Sequence, residues 1–456
     1  MKIFIAGICG TFMAGIAQLG RDSGCRVRGC DAAVYPPMSA LLESQGIEIA
    51  PGYRPEHLGD DPGTVIIGNA LSRGNALVEA VLNRGLAFCS GPEWLRRTVL
   101  TGRPVIAVAG THGKTTTSSI LAWILQCNGD APGYLIGGQP GNFARSACLG
   151  GGRHFVVEAD EYDSAFFDKR AKFVHYHPHI AVLNNLEFDH ADIYDDLGQI
   201  IRQFHHLVRL VPGRGCVVVN ADDARLAEVM AMGCWSRRVG FSIREGSEAE
   251  WRAVPVSDDF SRFDVLHHGR SAARVDWRCI GKHNMQNALA AVAAAAQAGV
   301  PAAPACASLS GYLAPKRRLQ LLFQSDGLSL YDDFAHHPSA LRETLGAVRA
   351  RHPGSRVIAI VELRSNTMKA GAHGVRLTRA LACADCTIVS GAAGDSLPGG
   401  GQGGGDILLI DHADEILCAL QQQLGKLDGE AVVITMSNGD FGGLARRIAN
   451  FLGAGA

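Results

Sequence analysis

"VAGTHGKTTTS", residues 108–118, is the stretch on which the reading of this chain turns. It ends in Gly113-Lys114-Thr115-Thr116, the phosphate-binding end of a P-loop, whose usual pattern is G-x-x-x-x-G-K-[ST]. Counting back, the first glycine would stand at 108, but that residue is Val108, and Gly110 arrives two positions late. The surroundings still suit the motif. "RPVIAVAG" (103–110) reads as a strand entering the loop, and a helical pattern follows it. Backbone N–H groups at such a turn and the Lys114 ammonium can hold phosphates, and the Thr115 hydroxyl can ligate Mg²⁺. The loop therefore predicts ATP and Mg²⁺ as cofactors, with Gly110, Thr111, His112, Gly113, Lys114, Thr115 and Thr116 in contact with the nucleotide.

Working outward, acidic loops follow two further strand-like runs. "VVEADEYD" carries Glu158, Asp160, Glu161 and Asp163, and "NNLEFDHAD" carries Glu187, Asp189, His190 and Asp192. Mg²⁺ takes oxygen ligands, so acids at strand ends beside a P-loop could bridge ATP and an acceptor carboxylate; Asp163 and Asp192 read better as solvated loop charges. The histidines of "HYHPH" (175, 177 and 179) alternate as on one strand face and read as surface or substrate contacts, with no fourth zinc ligand at suitable spacing. Upstream, "GICGTFMAG" (7–15) follows the first strand and opens a helix where a dinucleotide loop would lie, with Cys9 in place of the second glycine. Gly7, Gly10 and Gly15 permit a tight turn and a bare helix N-terminus, which suits an anion, and Asp31 stands where an acid commonly meets a ribose. A βα turn whose glycines serve packing alone is the alternative.

The 456 residues suffice for two or three domains. At 47% hydrophobic and 19% charged residues, with net charge −1, the composition is that of a globular protein and gives no sign of a nucleic-acid partner. No apolar run reaches the roughly 18 residues of a membrane span, and "MKIFIAGICG" turns at a glycine too soon for a signal peptide, so a cytoplasmic location is expected. The thirteen cysteines then read as reduced small hydrophobes. Cys383 and Cys386 form a C-x-x-C with no partner pair for a metal. Continuous apolar runs at 154–160, 180–186 and 215–223 suggest a parallel sheet buried on both faces. "NALAAVAAAAQAGV" (287–300) reads as a helix stopped by Gly299 and Pro301. "LSLYDDFAHHP", "SRVIAIVELRSN", "DCTIVSG" and "AVVITMSNGD" read as strands leading into loops, and "PGGGQGGGD" (398–406) as a flexible loop.

Taken in order, "GTHGKTT", "EADE", "NNLEFDH", "GKHNMQNALAA", "RRLQ" and "DDFAHHP" resemble the motifs of the Mur ligase family, whose own loop form is G-T-x-G-K-T-T. The resemblance covers essentially the whole chain and accounts for Val108. It implies an α/β fold in three domains: a Rossmann-like N-terminal domain (1–100) for a UDP-sugar, a central P-loop ATPase-type parallel sheet (101–314), and a Rossmann-like C-terminal domain (315–456) for the incoming amine. Carried over by motif, Gly7, Gly10, Thr11, Phe12, Met13 and Asp31 would serve the UDP-sugar, with Asn69 and Ala70 near the uridine. Lys114 would hold the β- and γ-phosphates. Thr115 and Glu158 would ligate one Mg²⁺ and His190 a second. His283, Asn284 and Asn287 would flank the adenine, and Arg318 and Asp333 would reach ATP from the third domain, on the loop that also carries His336 and His337. Lys114, His190 and Arg318 would be the catalytic group.

Within the family, "VEADEYDSAFFDKRAKFVHY", "RSNTMKAG" and "MSNGDFGG" resemble the branch that joins L-alanyl-γ-D-glutamyl-meso-diaminopimelate to UDP-N-acetylmuramate in peptidoglycan recycling. The branch that adds L-alanine in biosynthesis is the alternative. Several relatives hold their second Mg²⁺ with a carbamylated lysine, but no lysine occurs here between Lys172 and Lys282. The diaminopimelate-adding relative uses a D-N-P-R loop, whereas this chain has "TIVSGAAGD". Peptide recognition therefore falls to Arg364, Ser365 and Asn366, with Lys169, Arg170, Lys172 and Lys369 as further cations expected on the acceptor side. A dinucleotide-dependent oxidoreductase would leave the P-loop unexplained. A regulatory P-loop ATPase would leave the first glycine loop and the strand-end acids unexplained.

Overall fold

The computed structural model describes residues 1–35, 38–188, 194, 196–325, 327–364, 374–391, 406–426 and 429–454. Met1–Val254, Val265–Ala273 and Asn287–Tyr312 form one compact unit; Pro255–Asp264, Arg274–Gln286 and Leu313–Ala456 form the second. The architecture is mixed α/β, with the three-domain organisation expected from the motifs.

In the first unit, β1 (Lys2–Ala6), β2 (Arg26–Asp31), β3 (Glu48–Pro51), β4 (Thr64–Ile67) and β5 (Phe88–Ser90) make a sheet in the order β3-β2-β1-β4-β5. Its strand pairings are all parallel. Parallel strands are covered on both faces, which is why "KIFIA" and "TVII" are apolar without alternation. The strand order reverses between β1 and β4, so the loops leaving those two strands flank the crevice where such sheets take ligands. Gly68 donates from its backbone N–H to the Ala6 carbonyl at 3.0 Å, which sets the turn carrying Asn69 and Ala70 beside Gly7.

The central sheet is built from β6 (Val105–Ala109), β7 (Gly133–Leu135), β8 (Ala147–Cys148), β9 (Phe155–Ala159), β12 (Ile180–Leu183), β13 (Cys216–Asn220), β14 (Arg237–Ser242), β15 (Trp251–Pro255), β16 (Arg262–His267) and β17 (Arg270–Asp276). A separate hairpin joins β10 (Asp163–Ala165) and β11 (Asp168–Ala171). The sheet order is β17-β16-β15-β14-β13-β12-β6-β9-β7-β8. β6 is parallel to β12 on one side and β9 on the other, and all five of its residues are buried. Val108 pairs in register with Val182 and Glu158. It is a core strand residue, and the phosphate loop begins only at Gly110, which is the structural reason a glycine at 108 is dispensable.

In the second unit, β18 (Gln320–Ser325), β19 (Leu328–Asp333), β20 (Arg356–Glu362), β21 (Cys386–Ser390), β22 (Asp406–Leu409) and β23 (Ala431–Met436) are ordered β18-β19-β23-β20-β21-β22. Only the β18–β19 pair is antiparallel. Two apolar clusters cover this sheet, one around Leu345, Ala359 and Ile434, the other around Ile358, Ile388 and Leu420. Ile358 and Ala359 are consecutive on β20 and so point to opposite faces.

Two expectations change. "HYHPH" is not a strand: Lys172–His175 form a 3₁₀ turn, His177 has φ 44°, and β12 starts only at Ile180. Pro178 lacks the N–H a ladder needs, so the three histidines do not share a strand face. The helix expected from residue 287 begins at Lys282 and runs to Gln297, because Gly281, at φ 95°, makes the turn into it. Of the glycine-rich segment 398–406, all but Asp406 lies outside the described residues. No helix among the described residues is long and apolar enough to cross a membrane.

Candidate active site

The phosphate loop is four residues between the end of β6 and the helix Lys114–Cys127. Gly113 sits at φ 78°, and a Cβ there would stand 2.3 Å from Asn287 Oδ1. Glycine is thus required twice, for backbone conformation and for space. The neighbouring strand end holds the loop from below. Thr111 N–H donates to the Asn185 carbonyl at 3.1 Å, and His112 N–H to Asn185 Oδ1 at 2.7 Å. Asn185 Nδ2 returns a bond to the His112 carbonyl at 3.1 Å. Behind the loop, Thr117 Oγ1 donates to Asn287 Oδ1 (3.2 Å), Asn184 Nδ2 donates to Thr117 Oγ1 (2.8 Å), and Asn220 Nδ2 donates to the Asn184 carbonyl (2.8 Å). Asn287, expected at the adenine, is buried and braces the loop. Thr116 is buried as well, and its carbonyl accepts from the Tyr312 hydroxyl at 3.5 Å.

Lys114 is buried, and its ammonium donates to the Gly110 carbonyl (2.7 Å) and to Glu161 (3.1 Å), with Asp160 at 3.7 Å. Burial alone would favour the neutral amine, but Glu161 and Asp160 outweigh it, so the ammonium is held well above the ordinary lysine range. Thr115 Oγ1 donates to Glu158 Oε1 at 3.0 Å, and Gly137 N–H donates to Glu158 Oε2 at 2.7 Å. Burial, reinforced by Asp160, raises the Glu158 carboxyl above its usual range. The approach to this pair is kept clear by glycines: a Cβ on Gly137 would lie 2.9 Å from Glu158 Oε1, and one on Gly138 would lie 2.9 Å from Thr115 Cγ2. Lys172 is also buried, 3.7 Å from Asp160 and with its ammonium 4.9 Å from the Phe12 ring centroid and 5.3 Å from that of Tyr162. The cluster therefore sets two ammonium groups, Lys114 and Lys172, against three carboxylates, Glu158, Asp160 and Glu161. A hydroxyl–carboxylate pair within an excess of negative charge suits a hard divalent cation. His190, Asp189 and Asp192 lie outside the described residues.

At the first sheet, Gly7 has φ 83° and makes the tight turn, and the helix Thr11–Asp22 starts at Gly10 without a side-chain cap. Gly10, Thr11, Asn69 and Ala70 are exposed at this crevice, Phe12 is partly buried and Met13 is buried. The free N–H groups of the uncapped helix end suit a diphosphate. Gly15 has a different purpose: a Cβ there would meet Leu135 Cδ1 at 2.2 Å, so this glycine lets the helix lie against β7. Asp31 is buried and accepts from Cys9 N–H at 2.9 Å and Ala33 N–H at 3.0 Å. Its carboxylate fixes the glycine turn from the end of β2.

In the second unit, His283, Arg318 and Asp333 share one electrostatic neighbourhood. Burial, with Arg318 adding to it, pushes the His283 imidazole down to about 4, so it is neutral near pH 7. Asp333 is buried and accepts from Leu319 N–H (2.6 Å) and Ala335 N–H (2.8 Å); burial raises its carboxyl although Arg318 opposes the shift. The Arg318 guanidinium lies 4.9 Å from the Phe334 ring centroid, and Asn284 Nδ2 donates to the Ile280 carbonyl at 2.8 Å. His337 caps the helix Pro338–Arg351 by accepting from Ser339 N–H at 3.4 Å, and His336 Nδ1 lies 3.0 Å from the Phe334 carbonyl.

Arg364 leaves the end of β20 and covers Gly439, where a Cβ would stand 2.0 Å from its Nη1. Ser437 bonds to Glu362 and accepts from Gly439 N–H at 2.9 Å. The stretches around 364 and 437–440, singled out separately in the sequence, are thus neighbours. Ser365, Asn366 and Lys369 lie outside the described residues. Lys169 and Arg170 are exposed and pair locally, with Asp163 at 2.7 Å and Asp168 at 2.8 Å. Asn184, Asn185 and Asn220 were not picked out from the sequence; their signal is an asparagine ending an apolar strand, at "VLNN" and "VVVN".

The Mur ligase family catalytic domain matches residues 2–102, the Mur ligase middle domain 108–295, and the Mur ligase glutamate ligase domain 317–439. The UDP-N-acetylmuramate–L-alanyl-γ-D-glutamyl-meso-2,6-diaminoheptandioate ligase of Escherichia coli (strain K12) is 53% identical over 81% of this chain and 80% of its own length. That of Haemophilus influenzae (strain ATCC 51907 / DSM 11121 / KW20 / Rd) is 45% identical over 99% of each. A crystal structure of a murein peptide ligase from Psychrobacter arcticus 273-4 superposes with a TM-score of 0.76 at 40% identity, covering 99% of each chain. With all three domains matched in order and relatives of this similarity spanning it, the chain belongs to the Mur ligase family of ATP-dependent amide ligases.

Proposed function

We propose that this protein joins L-alanyl-γ-D-glutamyl-meso-diaminopimelate to UDP-N-acetylmuramate with ATP and Mg²⁺, in the recycling of peptidoglycan in the cytoplasm. The observation that carries the ATP-dependent chemistry is the buried cluster in which Lys114, Thr115 and Glu158 meet at the ends of β6 and β9. The tripeptide is preferred over L-alanine as acceptor because the tripeptide-adding relatives reach 45–53% identity, against 30–34% for the L-alanine-adding ones. The assignment divides the chain into a UDP-sugar domain (1–100), an ATP domain (101–314) and an acceptor domain (315–456).

In this reading the lactyl carboxylate attacks the γ-phosphorus of ATP, the bond to the β–γ bridging oxygen breaks, and an acyl phosphate and ADP form. The tripeptide amine then attacks the acyl carbon, loses a proton and expels phosphate. Positioning and charge neutralisation dominate such transfers. Gly7, Gly10, Thr11, Phe12 and Met13 hold the UDP-sugar at the β1–β4 crevice, which Asp31 keeps in shape and which Asn69 and Ala70 border. Lys114 leaves its carboxylate partners for the β- and γ-phosphates, within a loop formed by Gly110, Thr111, His112, Gly113 and Thr116 and braced by Asn287. Thr115 and Glu158 would hold Mg²⁺, with His190 for a second ion; when bound, the metal neutralises phosphate charge. His283 and Asn284 serve the adenine, Asp333 the ribose, Arg318 the γ-phosphate side, and Arg364, Ser365 and Asn366 the peptide.

Phosphate release is expected only when UDP-N-acetylmuramate, ATP and tripeptide are all present. Sustained release with either acceptor component left out would replace the ligase with an ATPase. Glu158→Gln keeps the size of the side chain but removes its charge. The Mg²⁺ concentration for half-maximal rate should rise about tenfold, the order of one lost charge-assisted interaction. A metal titration that superimposes on wild type would remove Glu158 from the ligand set.

A further inference from the structure

At the opposite end of the central sheet from the phosphate loop lies a cavity of about 620 Å³, lined entirely by residues of the first unit. It opens where β6, β9, β12 and β13 begin, six residues from Gly110 along β6, or roughly 20 Å for an extended strand. Its charged lining is basic throughout: Arg96, Arg103, Arg153 and Arg214, with His177 and His179, and no carboxylate. Arg103 is the fixed wall. It donates to the carbonyls of Gly152 and His154 at 3.0 Å each and packs on the Phe155 ring. Arg153 and Arg214 are exposed, and their side chains make no hydrogen bond or ion pair among the described residues. Arg96 reaches only the Thr101 hydroxyl, at 3.4 Å. Between the cations, Leu100, Pro104, Leu210 and Pro212 supply an apolar strip. Asp130, behind the wall, acts on Arg103 and accepts from the Arg153 backbone N–H at 2.8 Å, but the positive lining still registers on the histidines. Burial and then Arg214 and Arg153 lower His179, and burial and then Arg96 lower His177.

We propose that this cavity is a second phosphate-binding site on the central sheet, which takes a phosphate-bearing anion of nucleotide size. Three guanidinium groups with little or no engagement by the protein and one fixed one can meet phosphate oxygens in pairs. The apolar strip gives a flat non-phosphate portion a place to lie, and the volume falls in the range of small-molecule sites. The site is separate from the loop at Gly110–Thr116 and shares with it the strands β6, β9 and β12, which start at the cavity and end beside the loop.

The test is calorimetric titration of the full chain, its β1–β4 crevice saturated with UDP-N-acetylmuramate, with tripolyphosphate and separately with ADP, at low salt. Wild type should show two sites, and Arg153→Ala/Arg214→Ala should show one, with ligation in the absence of added anion within twofold of wild type. Retained ligation shows that the variant is folded and that the loss is not at the P-loop. Arg214→Glu alone should weaken the second site at least tenfold. Equal stoichiometry and affinity in wild type and both variants would overturn the proposal.

Discussion

Lys114→Ala should lower ligation by about a hundred- to a thousandfold, the loss seen when one preorganised charge is removed from a transition state. The side chain is buried, and its ammonium donates to both the loop carbonyl of Gly110 and the carboxylate of Glu161. Its removal also leaves Glu161 and Asp160 short of a partner, and breaking a buried pair costs about 3–5 kcal/mol. A lower melting temperature should therefore accompany the loss of rate. Lys114→Arg separates the two effects: it retains the charge, and with it much of the stability, but a planar fork does not replace a point charge between loop and phosphate. Steady-state rates and thermal melts of both variants check this. Near-normal turnover in folded Lys114→Ala would remove the P-loop from the mechanism.

Gly113→Ala is expected to be nearly as damaging through geometry alone. An L-residue at φ 78° is strained by about 1–2 kcal/mol. The new methyl would also stand 2.3 Å from Asn287 Oδ1, inside the network that joins Thr117, Asn184 and Asn287. Either the loop lifts or the asparagine moves, and both displace the backbone N–H groups from the phosphates. A shift of this size in a positioned loop costs on the order of a hundredfold in rate. Comparison of kcat and the KM for ATP with wild type checks it; values within threefold of wild type would show that the loop tolerates a side chain.

Much of the fold could be read from uninterrupted apolar runs. β1, β4, β6, β9, β12, β13 and β23 each lie within a stretch recognisable by hydrophobicity and turn glycines, because parallel strands buried on both faces leave little room for polar residues. Some of the strands that escaped notice are short or at edges, whereas β14, β15 and β16 lie inside the ten-stranded sheet and carry charged or polar residues that break up their apolar runs. β7 and β8 have three and two residues, and β18 exposes Leu321 and Gln324, so neither hydrophobicity nor alternation marks them. "HYHPH" misled because alternation was counted across Pro178, where no ladder can form.

At the site, the P-loop residues were legible because their spacing is dictated by phosphate. The asparagines that support the loop were not, since a buried amide in a hydrogen-bond network leaves no periodic trace. Asp31 shows the same limit from the other side: its position at a strand end fits a ribose contact, while its carboxylate is committed to Cys9 and Ala33. Lys172 stood out as a cation but not as one buried between Phe12 and Tyr162, because the Phe12 ring comes from a distant part of the chain.

The acceptor is the central claim, and a competition assay tests it most directly. With UDP-N-acetylmuramate and ATP saturating, L-alanyl-γ-D-glutamyl-meso-diaminopimelate and L-alanine are offered together, and kcat/KM is obtained for each from the ratio of products. The tripeptide should be favoured by at least about tenfold, a difference of roughly 1.4 kcal/mol that one paired carboxylate contact can supply. A value for L-alanine equal to or above that for the tripeptide would contradict the account and assign the chain to the L-alanine-adding branch.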